Sequence, residues 1–245
     1  MNESKVALVT GASRPQGLGF AVARELATRG YHAVLAGRDL DRTRALAELL
    51  AGEGLSADAV RLDITDPADA AACAEQIRAT AGRLDALVNN AAAMPDFATR
   101  SVLDADLTEA RTAFTVNVLG TWAVVQACLP LLRAAPAARI VNVSSGGAAQ
   151  VAAGASLAEG MRSPGYSLAK YALNALTASL AAELRGSGVL VNAVDPGSVA
   201  THPERGDDAD DRSPAEAALG VVWAATLPAD GPTGGLFLDG RPTLG

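Results

Sequence analysis

Short apolar runs, each followed at once by small or polar residues, recur along the 245-residue sequence and limit its possible folds strongly. The segments between these runs are long enough for helices that cross from one parallel strand to the next. The runs are residues 6–10, 32–36, 59–62, 86–89, 139–143 and 189–194. We expect an α/β chain with a Rossmann-type doubly wound parallel sheet of about seven strands and helices on both faces. No Pro/Ser-rich linker interrupts the sequence, so residues 1–245 are predicted to form a single domain.

A glycine-bearing loop joins the first apolar run to the first segment with helical periodicity. Its glycines include Gly11, Gly17 and Gly19, and the helical pattern starts at Phe20. Glycines let the backbone approach a pyrophosphate, while the helix N-terminus faces the phosphate charge. Glycine clusters are more often ordinary turns, but the position between a strand and a helix favours a dinucleotide-binding loop.

The second apolar run is followed by Gly37 and then by the cationic side chain of Arg38. In this fold, the residues at that strand end contact the adenosine ribose of a bound dinucleotide. Arg38 would meet a 2′-phosphate there, so the sequence favours NADP(H). Asp39 could instead accept hydrogen bonds from a free 2′-hydroxyl, but it is also suited to cap the helix that follows it. Arg14 in the glycine loop either adds a second cation near the phosphate or is a solvated loop arginine.

Tyr166 and Lys170 lie four residues apart at the start of a long apolar segment, so they share one face of a predicted helix. A tyrosine that exchanges a proton near neutral pH needs its pKa lowered by roughly 3 units, or about 4 kcal/mol. A lysine ammonium at about 4 Å supplies on the order of 4 kcal/mol at an effective dielectric of about 20. By itself, the pair could also be a chance pattern on a helix surface.

Composition argues against several other classes of protein. The net charge of −7 and the aromatic content of 4% disfavour a nucleic-acid partner. No apolar run is long enough to span a membrane, so we expect no membrane partner and a cytoplasmic location. Cys73 and Cys128 fall in predicted helices and are expected to be buried free thiols. His32 and His202 have no metal-binding partners, so no metal site is expected.

Taken in chain order, the motifs resemble the short-chain dehydrogenase/reductase family in its classical branch. The resemblance extends over essentially the whole length, and the tail from Ser213 onward is similar to the carbonyl-reductase-like members. Its motifs are Thr10-Gly11, Asn89-Asn-Ala, Asn117, Ser145, Tyr166-x-x-x-Lys170 and Asp195-Pro-Gly197.

The resemblance implies a catalytic tetrad. Tyr166 would protonate the substrate oxygen, and Lys170 would lower the tyrosine pKa and hold the nicotinamide ribose. Ser145 would hydrogen-bond the carbonyl oxygen, and Asn117 would anchor a water that leads to the lysine. Without the resemblance, Ser145 could be a turn hydroxyl and Asn117 a buried amide bonded to backbone. Ser144 stands beside Ser145, and the family motif selects the second serine.

The resemblance also implies a set of cofactor contacts. Thr201 would bond the nicotinamide carboxamide, although it could also be an ordinary loop residue, and Asp63 would lie near the adenine. The full implied set is Gly11, Ser13, Arg14, Gly17, Leu18, Gly19, Arg38, Asp63, Asn89, Ala91, Tyr166, Lys170, Pro196, Gly197, Val199 and Thr201. Residues that line the substrate pocket are expected from 92–98, 146–165 and 199–212.

Some segments depart from the family pattern. Five residues separate Gly11 from Gly17, more than is usual in the family, which leaves open which side chain meets the phosphate. Ala92 replaces a usual glycine, so its backbone should avoid conformations that only glycine favours. The stretch 146–165 is longer than the commonest spacing and is expected to be a loop or short helix. Residues 202–211 are acidic, either as a solvated loop or as a rim that disfavours anionic substrates.

The predicted function is NADP(H)-dependent reduction of a ketone, aldehyde or quinone carbonyl to an alcohol, with Tyr166 as the acid. One alternative is the reverse reaction, an NADP-dependent alcohol dehydrogenase, because the same residues serve both directions. A second is a non-catalytic NADP(H)-binding sensor. The expected partner is a small carbonyl or alcohol molecule. A homo-oligomer, dimer or tetramer, is favoured over a monomer.

Overall fold

The computed structural model describes residues 4–154, 162–202 and 210–243. The strands are β1 (Val6–Thr10), β2 (His32–Gly37), β3 (Ala57–Arg61), β4 (Ala86–Asn89), β5 (Arg139–Val143), β6 (Leu190–Val194), β7 (Leu236–Leu238) and β8 (Arg241–Thr243). They form one sheet in the order β3-β2-β1-β4-β5-β6-β7-β8. The strands from β3 through β7 pair in parallel, and β8 pairs antiparallel with β7. The predicted doubly wound α/β fold is confirmed.

The described α-helices cover the two faces of this sheet. They are α1 (Leu18–Thr28), α2 (Leu40–Gly52), α3 (Pro67–Ala81), α4 (Leu107–Phe114), α5 (Thr121–Ala134), α6 (Gly146–Ala152), α7 (Pro164–Glu183) and α8 (Pro214–Ala225). A π-helical segment, Thr115–Gly120, joins α4 to α5. The strand order reverses direction between β1 and β4, and in folds of this kind the ligand crevice lies beyond the strand ends at that point.

Side chains that accept backbone hydrogen bonds mark where several helices begin. Asp39 accepts from the N–H of Arg42 at 3.1 Å and caps α2, as the sequence predicted. Asp66 accepts from the N–H of Ala68 at 2.9 Å and caps α3, whose first residue is the predicted Pro67. The two aspartate side chains thus supply acceptors for first-turn N–H groups that have no partner within the helix.

The central strands are apolar because both of their faces are covered. In β1, Leu8 lies in a core that includes Cys73 of α3 and Leu131 of α5, whereas Val9 lies in a second core that includes Val221 of α8. Alternate residues of one strand therefore enter opposite layers, and each needs an apolar side chain.

Both cysteines lie in the first of these cores. Cys73 and Cys128 are free and buried, as predicted. Burial raises the pKa of each thiol to about 12, with a smaller contribution from Asp69 at Cys73 and from Cys73 at Cys128. Both thiols are therefore protonated at neutral pH.

The strand boundaries differ from the predicted ones mainly at the sheet edges. The runs at 6–10, 86–89 and 139–143 match β1, β4 and β5. The edge strand β3 begins two residues before the predicted 59–62, because an edge strand exposes alternate side chains and carries a weaker apolar signal. The short strand β8 brings the sheet to eight strands, one more than the predicted number of about seven. It forms by a tight hairpin at Asp239 and Gly240, whose φ angles of 49° and 75° suit a two-residue turn.

The run from Leu107 to Ala134, which includes the π-helical segment, is long and apolar enough to cross a membrane by length and composition alone. Val124, Cys128 and Leu132 from this run lie in the protein core. Asn117, within the same run, is completely buried by the rest of the chain. This packing is that of a core helix.

The glycine loop and the loop after β4 are packed closely together. Asn90 donates through Nδ2 to the carbonyl oxygens of Thr10 at 2.8 Å and Gly11 at 3.2 Å. Thr10 Oγ1 accepts from the N–H groups of Asn90 and Ala91, both at 3.0 Å. A Cβ atom on Gly19 would lie 2.5 Å from Asn90 Nδ2 and 2.7 Å from the Gly11 carbonyl oxygen. A methyl group at residue 19 therefore has no room.

Gly19→Ala should lower the free energy of unfolding by about 1–3 kcal/mol, because the added methyl forces these two loops apart. The matched control is Gly52→Ala at the end of α2, where a Cβ atom would meet nothing within 4 Å. That control should be neutral or stabilise by up to about 1 kcal/mol. Thermal or denaturant unfolding of both variants measures the difference. A Gly19→Ala protein as stable as the wild type would contradict the close contact.

Candidate active site

Lys170 fixes α7 against the end of β5. Its side chain is 2% exposed, and Nζ donates to the carbonyl oxygen of Val143, the last residue of β5, at 2.6 Å. The predicted four-residue spacing on one helix face holds, since Nζ lies 5.5 Å from the centre of the Tyr166 ring. The two predicted residues therefore meet at the carboxyl end of a central strand.

The two serines after β5 have different partners. Ser145 caps α6, accepting from the N–H of Gly147 at 3.2 Å, and its side chain hydrogen-bonds Tyr166. Ser144 is 2% exposed and donates to Asn174 Oδ1 at 2.7 Å, farther along α7. The structure therefore brings Ser145, and not Ser144, to the tyrosine.

Burial shifts the pKa values of Tyr166 and Lys170 in opposite directions. The pKa of Tyr166 is raised to about 12, chiefly because burial disfavours the phenolate; the charge of Asp195 adds to this, and the Ser145 hydrogen bond acts against it. Burial lowers the pKa of Lys170 to about 8. The lowered tyrosine pKa expected from the lysine is therefore not what the protein by itself shows. The ammonium bonds to the Val143 carbonyl, and burial of the phenol has the largest effect on the tyrosine pKa.

Asn117 lies in the π-helical segment, and both polar atoms of its side-chain amide hydrogen-bond to the backbone of one residue. Its Oδ1 accepts from the N–H of Ala93 at 3.0 Å, and its Nδ2 donates to the Ala93 carbonyl at 2.8 Å. The side chain is thus a buried amide bonded to backbone, which was the alternative interpretation. The water-anchoring role stays a prediction.

The glycine loop forms a cradle at the start of α1. Gly17 occupies the N-cap position of this helix and offers no side-chain acceptor to its first N–H groups. The first turn, which starts at Leu18, has no acidic residue. Gly11 has a φ of 70°, and a Cβ atom there would lie 2.7 Å from Ala91 Cα. The extra residues of the loop form a turn closed by the N–H of Gly17 and the carbonyl of Arg14 at 3.0 Å. The free N–H groups at the start of α1 and the exposed glycine backbone beside them suit a pyrophosphate.

Arg14 links this loop to the segment after β6. Its Nη2 donates to the Thr201 carbonyl oxygen at 2.9 Å, and Thr201 Oγ1 lies 3.0 Å from Nδ1 of His202. Gly197, with a φ of 72°, donates its N–H to Asp195 Oδ1 at 2.9 Å. Two predicted cofactor-binding segments that are distant in sequence therefore meet.

Other implied cofactor contacts lie nearby, with one exception. Pro196 accepts at its carbonyl from Arg212 Nη1 at 3.2 Å, and Val199 forms a β-bridge with Arg212. The side chain of Asn89 instead points into the protein, where Nδ2 donates to Asn142 Oδ1 at 2.8 Å. Asn142 in turn donates to Thr177 of α7 at 2.8 Å. Because the Asn89 side chain is buried, only its backbone is left to contact a ligand.

A cleft of about 540 Å³ lies between the glycine loop and α2. Its lining is Ser13, Arg14, Pro15, Gln16, Arg42, Ala45 and Leu46. Arg42 was not among the predicted site residues, although its position in the first turn of α2, four residues after Arg38, is visible in the sequence. Asp39 forms an ion pair with Arg42 at 3.2 Å.

The exposed Arg38 follows β2, and Asp63 follows the neighbouring strand β3. Asp63 accepts from the N–H of Thr65 at 3.0 Å and from its hydroxyl at 2.7 Å. These hydrogen bonds lower the pKa of Asp63, with a smaller contribution from the positive charge of Arg38.

Some expectations concern loops and metals. Ala92 has no positive φ, as expected. Residues 146–152 form α6, so the predicted short helix is present, but residues 155–161 and 203–209 lie outside the described part of the chain. In the described ranges, no cluster of three His, Cys, Asp or Glu residues could hold a metal ion.

A doubly wound sheet with a phosphate cradle beside a Ser–Tyr–Lys group defines a nucleotide-dependent oxidoreductase scaffold. Residues 5–211 match the family model for short chain dehydrogenases, and the chain belongs to that family.

Among its relatives, oxidoreductase UcpA of Escherichia coli K12 is 37% identical over 197 residues, 80% of this chain and 70% of the relative. Trans-4-hydroxycyclohexanecarboxylate dehydrogenase of Sinomonas cyclohexanicum is 36% identical over 203 residues, 80% of this chain and 73% of that protein. The crystal structure of a 3-oxoacyl-(acyl-carrier-protein) reductase from Agrobacterium tumefaciens with NADP bound aligns with a TM-score of 0.80. It shares 25% identity over 96% of this chain and 92% of that one.

Removing the buried charge of Lys170 should change how stability depends on pH. Between about pH 8 and the ordinary lysine pKa of 10.5, the unfolded chain holds the lysine proton and the folded chain does not, so the wild type gains stability as pH rises. Relative to Lys170→Met, that gain should reach about 1.4 kcal/mol per pH unit, and it should be absent below about pH 8.

The measurement is urea unfolding of both proteins from pH 7 to pH 10. Subtracting the two curves cancels the opposing contribution of the two buried thiols, whose raised pKa values make the folded chain hold protons above pH 9. Lys5→Met, which removes the exposed lysine at the start of the chain, is the control. A stability difference that does not vary from pH 8 to pH 10 would show that Lys170 is not buried as described.

Proposed function

We propose that this short-chain dehydrogenase is an NADP(H)-dependent oxidoreductase that reduces a ketone, aldehyde or quinone carbonyl to an alcohol. The observation that carries the proposal is the hydrogen-bonded Ser145–Tyr166 pair, with the buried Lys170 beside it and the glycine cradle at neighbouring strand ends. This combination offers a protonated acid, a second hydroxyl and a cation around one place where a carbonyl oxygen can sit.

A bound nicotinamide supplies the hydride that the reaction requires, and the rest of the chemistry belongs to this chain. Negative charge develops on the carbonyl oxygen as it is reduced, and the Ser145 and Tyr166 hydroxyls are the donors that stabilise it. At neutral pH the phenol of Tyr166 carries its proton, because its pKa is raised to about 12. The proton therefore moves from the phenol to the alkoxide oxygen.

Lys170 acts on the phenol after the proton leaves. With a pKa of about 8 it is mostly charged at neutral pH, and its ammonium is close enough to stabilise a phenolate. Its bond to the Val143 carbonyl uses one of the three ammonium N–H donors, so two remain for the tyrosine oxygen and a ribose hydroxyl.

The cofactor preference rests on two arginines, one directly after β2 and one in the first turn of α2. Arg38 and Arg42 are both exposed at this end of the sheet. Asp39, the residue that could have selected a free 2′-hydroxyl, is occupied as the cap of α2 and as the ion-pair partner of Arg42. The NADP-bound reductase structure that aligns with this chain supports the same choice.

The substrate is proposed only by class. Met94 and Phe97 lie in the loop after β4, from which pocket residues were expected, and are 43% and 44% exposed, so a substrate with an apolar group would suit them. A dehydrogenase and a 3-oxoacyl-(acyl-carrier-protein) reductase both occur among the similar proteins, so the alcohol-oxidising direction stays the alternative. A cytoplasmic location and a homo-oligomer also stay predictions.

NADPH should be oxidised well ahead of NADH when the protein is given a panel of ketones, aldehydes and quinones, followed by absorbance. Tyr166→Phe should lower the rate by about 10²–10⁴, because the acid is lost. Tyr171→Phe is the matched control, since Tyr171 is 41% exposed on the same helix, and it should leave the rate unchanged.

Turnover of an alcohol by NADP⁺, with no carbonyl reduced, would favour the reverse direction. Binding of NADPH without turnover in either direction would favour the sensor.

Arg38→Ala should raise the KM for NADPH by roughly tenfold to a hundredfold and leave the KM for NADH nearly unchanged, since only NADPH carries the charged group that the guanidinium would contact. Arg44→Ala is the control, because Arg44 is an exposed arginine of α2 that pairs with Asp41 at 3.2 Å. Equal effects of Arg38→Ala on both cofactors would contradict the assignment of Arg38 to the 2′-phosphate.

A further inference from the structure

The helix that carries Tyr166 begins without a cap from its own N-terminal residue. Ser163, which precedes α7, has a φ of 55° and makes no side-chain cap hydrogen bond. Pro164 has no N–H to donate, so the first N–H groups that need an acceptor belong to Gly165 and Tyr166. Tyr166 thus lies in a first turn that depends on an acceptor from elsewhere.

Asp96 supplies that acceptor from the loop after β4. Its Oδ2 accepts from the N–H of Gly165 at 2.6 Å and from the N–H of Tyr166 at 3.4 Å. The carboxylate is 2% exposed. A buried carboxylate is tolerated where N–H groups bond to it, and the positive end of the helix dipole favours it further. Asp96 is therefore turned into the protein, toward the first turn of α7.

The same loop is fixed to Asn117 and to the entrance of α7. Asn117 holds the backbone of Ala93 through two hydrogen bonds, at 3.0 and 2.8 Å. At the other end, the Thr99 carbonyl accepts from the N–H of Ser163 at 3.0 Å, and the Thr99 N–H donates to the Asp96 carbonyl at 3.0 Å. One short loop therefore connects two of the four predicted catalytic residues.

The contact between Asp96 and the helix leaves little room for movement. A Cβ atom on Gly165 would lie 2.9 Å from Ala110 Cα and 3.1 Å from Asp96 Oδ2. Glycine at this position lets the first turn approach both α4 and the carboxylate. A shift of the carboxylate would therefore move the turn itself.

We propose that Asp96 is a positioning residue: by capping α7 from the loop after β4, it holds the first turn so that the Tyr166 hydroxyl meets Ser145. This inference rests on the proposed role of Tyr166 as the acid. Asp96 acts through the backbone of Gly165 and Tyr166.

Replacing the carboxylate separates this role from general stability. Asp96→Ala should lower kcat roughly tenfold or more, because two N–H groups lose their acceptor and the turn frays. The KM for NADPH should stay unchanged, since the glycine cradle is untouched. Asp96→Asn keeps an oxygen at the same distance and should restore kcat to within about threefold. Asp66→Ala, which removes the equivalent cap from α3, should leave kcat unchanged.

Hydrogen exchange of the protein without cofactor tests the same contact independently of activity. Amides of residues 165–170 should exchange faster in Asp96→Ala than in the wild type or in Asp66→Ala. If Asp96→Ala does not fold, Asp96→Ser takes its place, because its hydroxyl is too short to reach both N–H groups.

The outcomes separate the two proposals. A wild type that reduces no carbonyl and oxidises no alcohol removes the proposed function, while hydrogen exchange still decides whether Asp96 holds the turn. An active wild type, with Asp96→Ala as active as Asp66→Ala or with unchanged exchange at residues 165–170, overturns the role of Asp96.

Discussion

The hydrogen bond from the Lys170 ammonium to the last carbonyl of β5 joins the helix of the candidate acid to the sheet. Val143, which accepts this bond, is followed directly by the two serines. The same strand end therefore presents Ser145 to the tyrosine and Ser144 to Asn174, one turn beyond the lysine. These contacts fix α7 along its length, and the carboxylate of Asp96 fixes its first turn. The geometry of the site therefore depends on how α7 is fixed to the end of β5 and to the loop after β4.

Burial gives this arrangement its electrostatic character. The environment that raises the pKa of Tyr166 to about 12 also lowers the pKa of Lys170 to about 8. At neutral pH the phenol therefore keeps its proton, and most of the lysine is charged. Asp195 raises the tyrosine pKa further, from the strand end next to the serines. The phenolic proton is therefore present at neutral pH, and the charged lysine beside it can stabilise the phenolate that forms once the proton is donated.

Much of the fold and of the candidate site was predictable because the patterns involved are local. Buried parallel strands are apolar along their whole length, so β1, β4 and β5 have the predicted boundaries. Tyr166 and Lys170 share a helix face by their spacing alone. The predictions for the edge strand β3 and for the hairpin to β8 were less accurate. Exposed alternate residues and a two-residue turn leave little apolar signal in the sequence.

What the sequence could not show are contacts between residues that are distant along the chain. Asp96 accepts from an N–H group 69 residues later, and Arg14 reaches a carbonyl 187 residues later. The pKa of Tyr166 in the protein without cofactor is raised, whereas the sequence suggested a lowered one, for a related reason. The spacing predicts a nearby cation, but burial, which depends on the whole fold, has the larger effect.

The central claim is that hydride reaches a carbonyl carbon while Tyr166 supplies the proton. Its most direct test uses NADPH labelled with deuterium at the transferred position and a carbonyl compound that the protein consumes, with the product analysed by mass spectrometry. The account predicts an alcohol that carries the label on its carbinol carbon, formed by the wild type and not by Tyr166→Phe. NADPH consumption that leaves the carbonyl compound unlabelled, or labelled alcohol formed equally well by Tyr166→Phe, would contradict it.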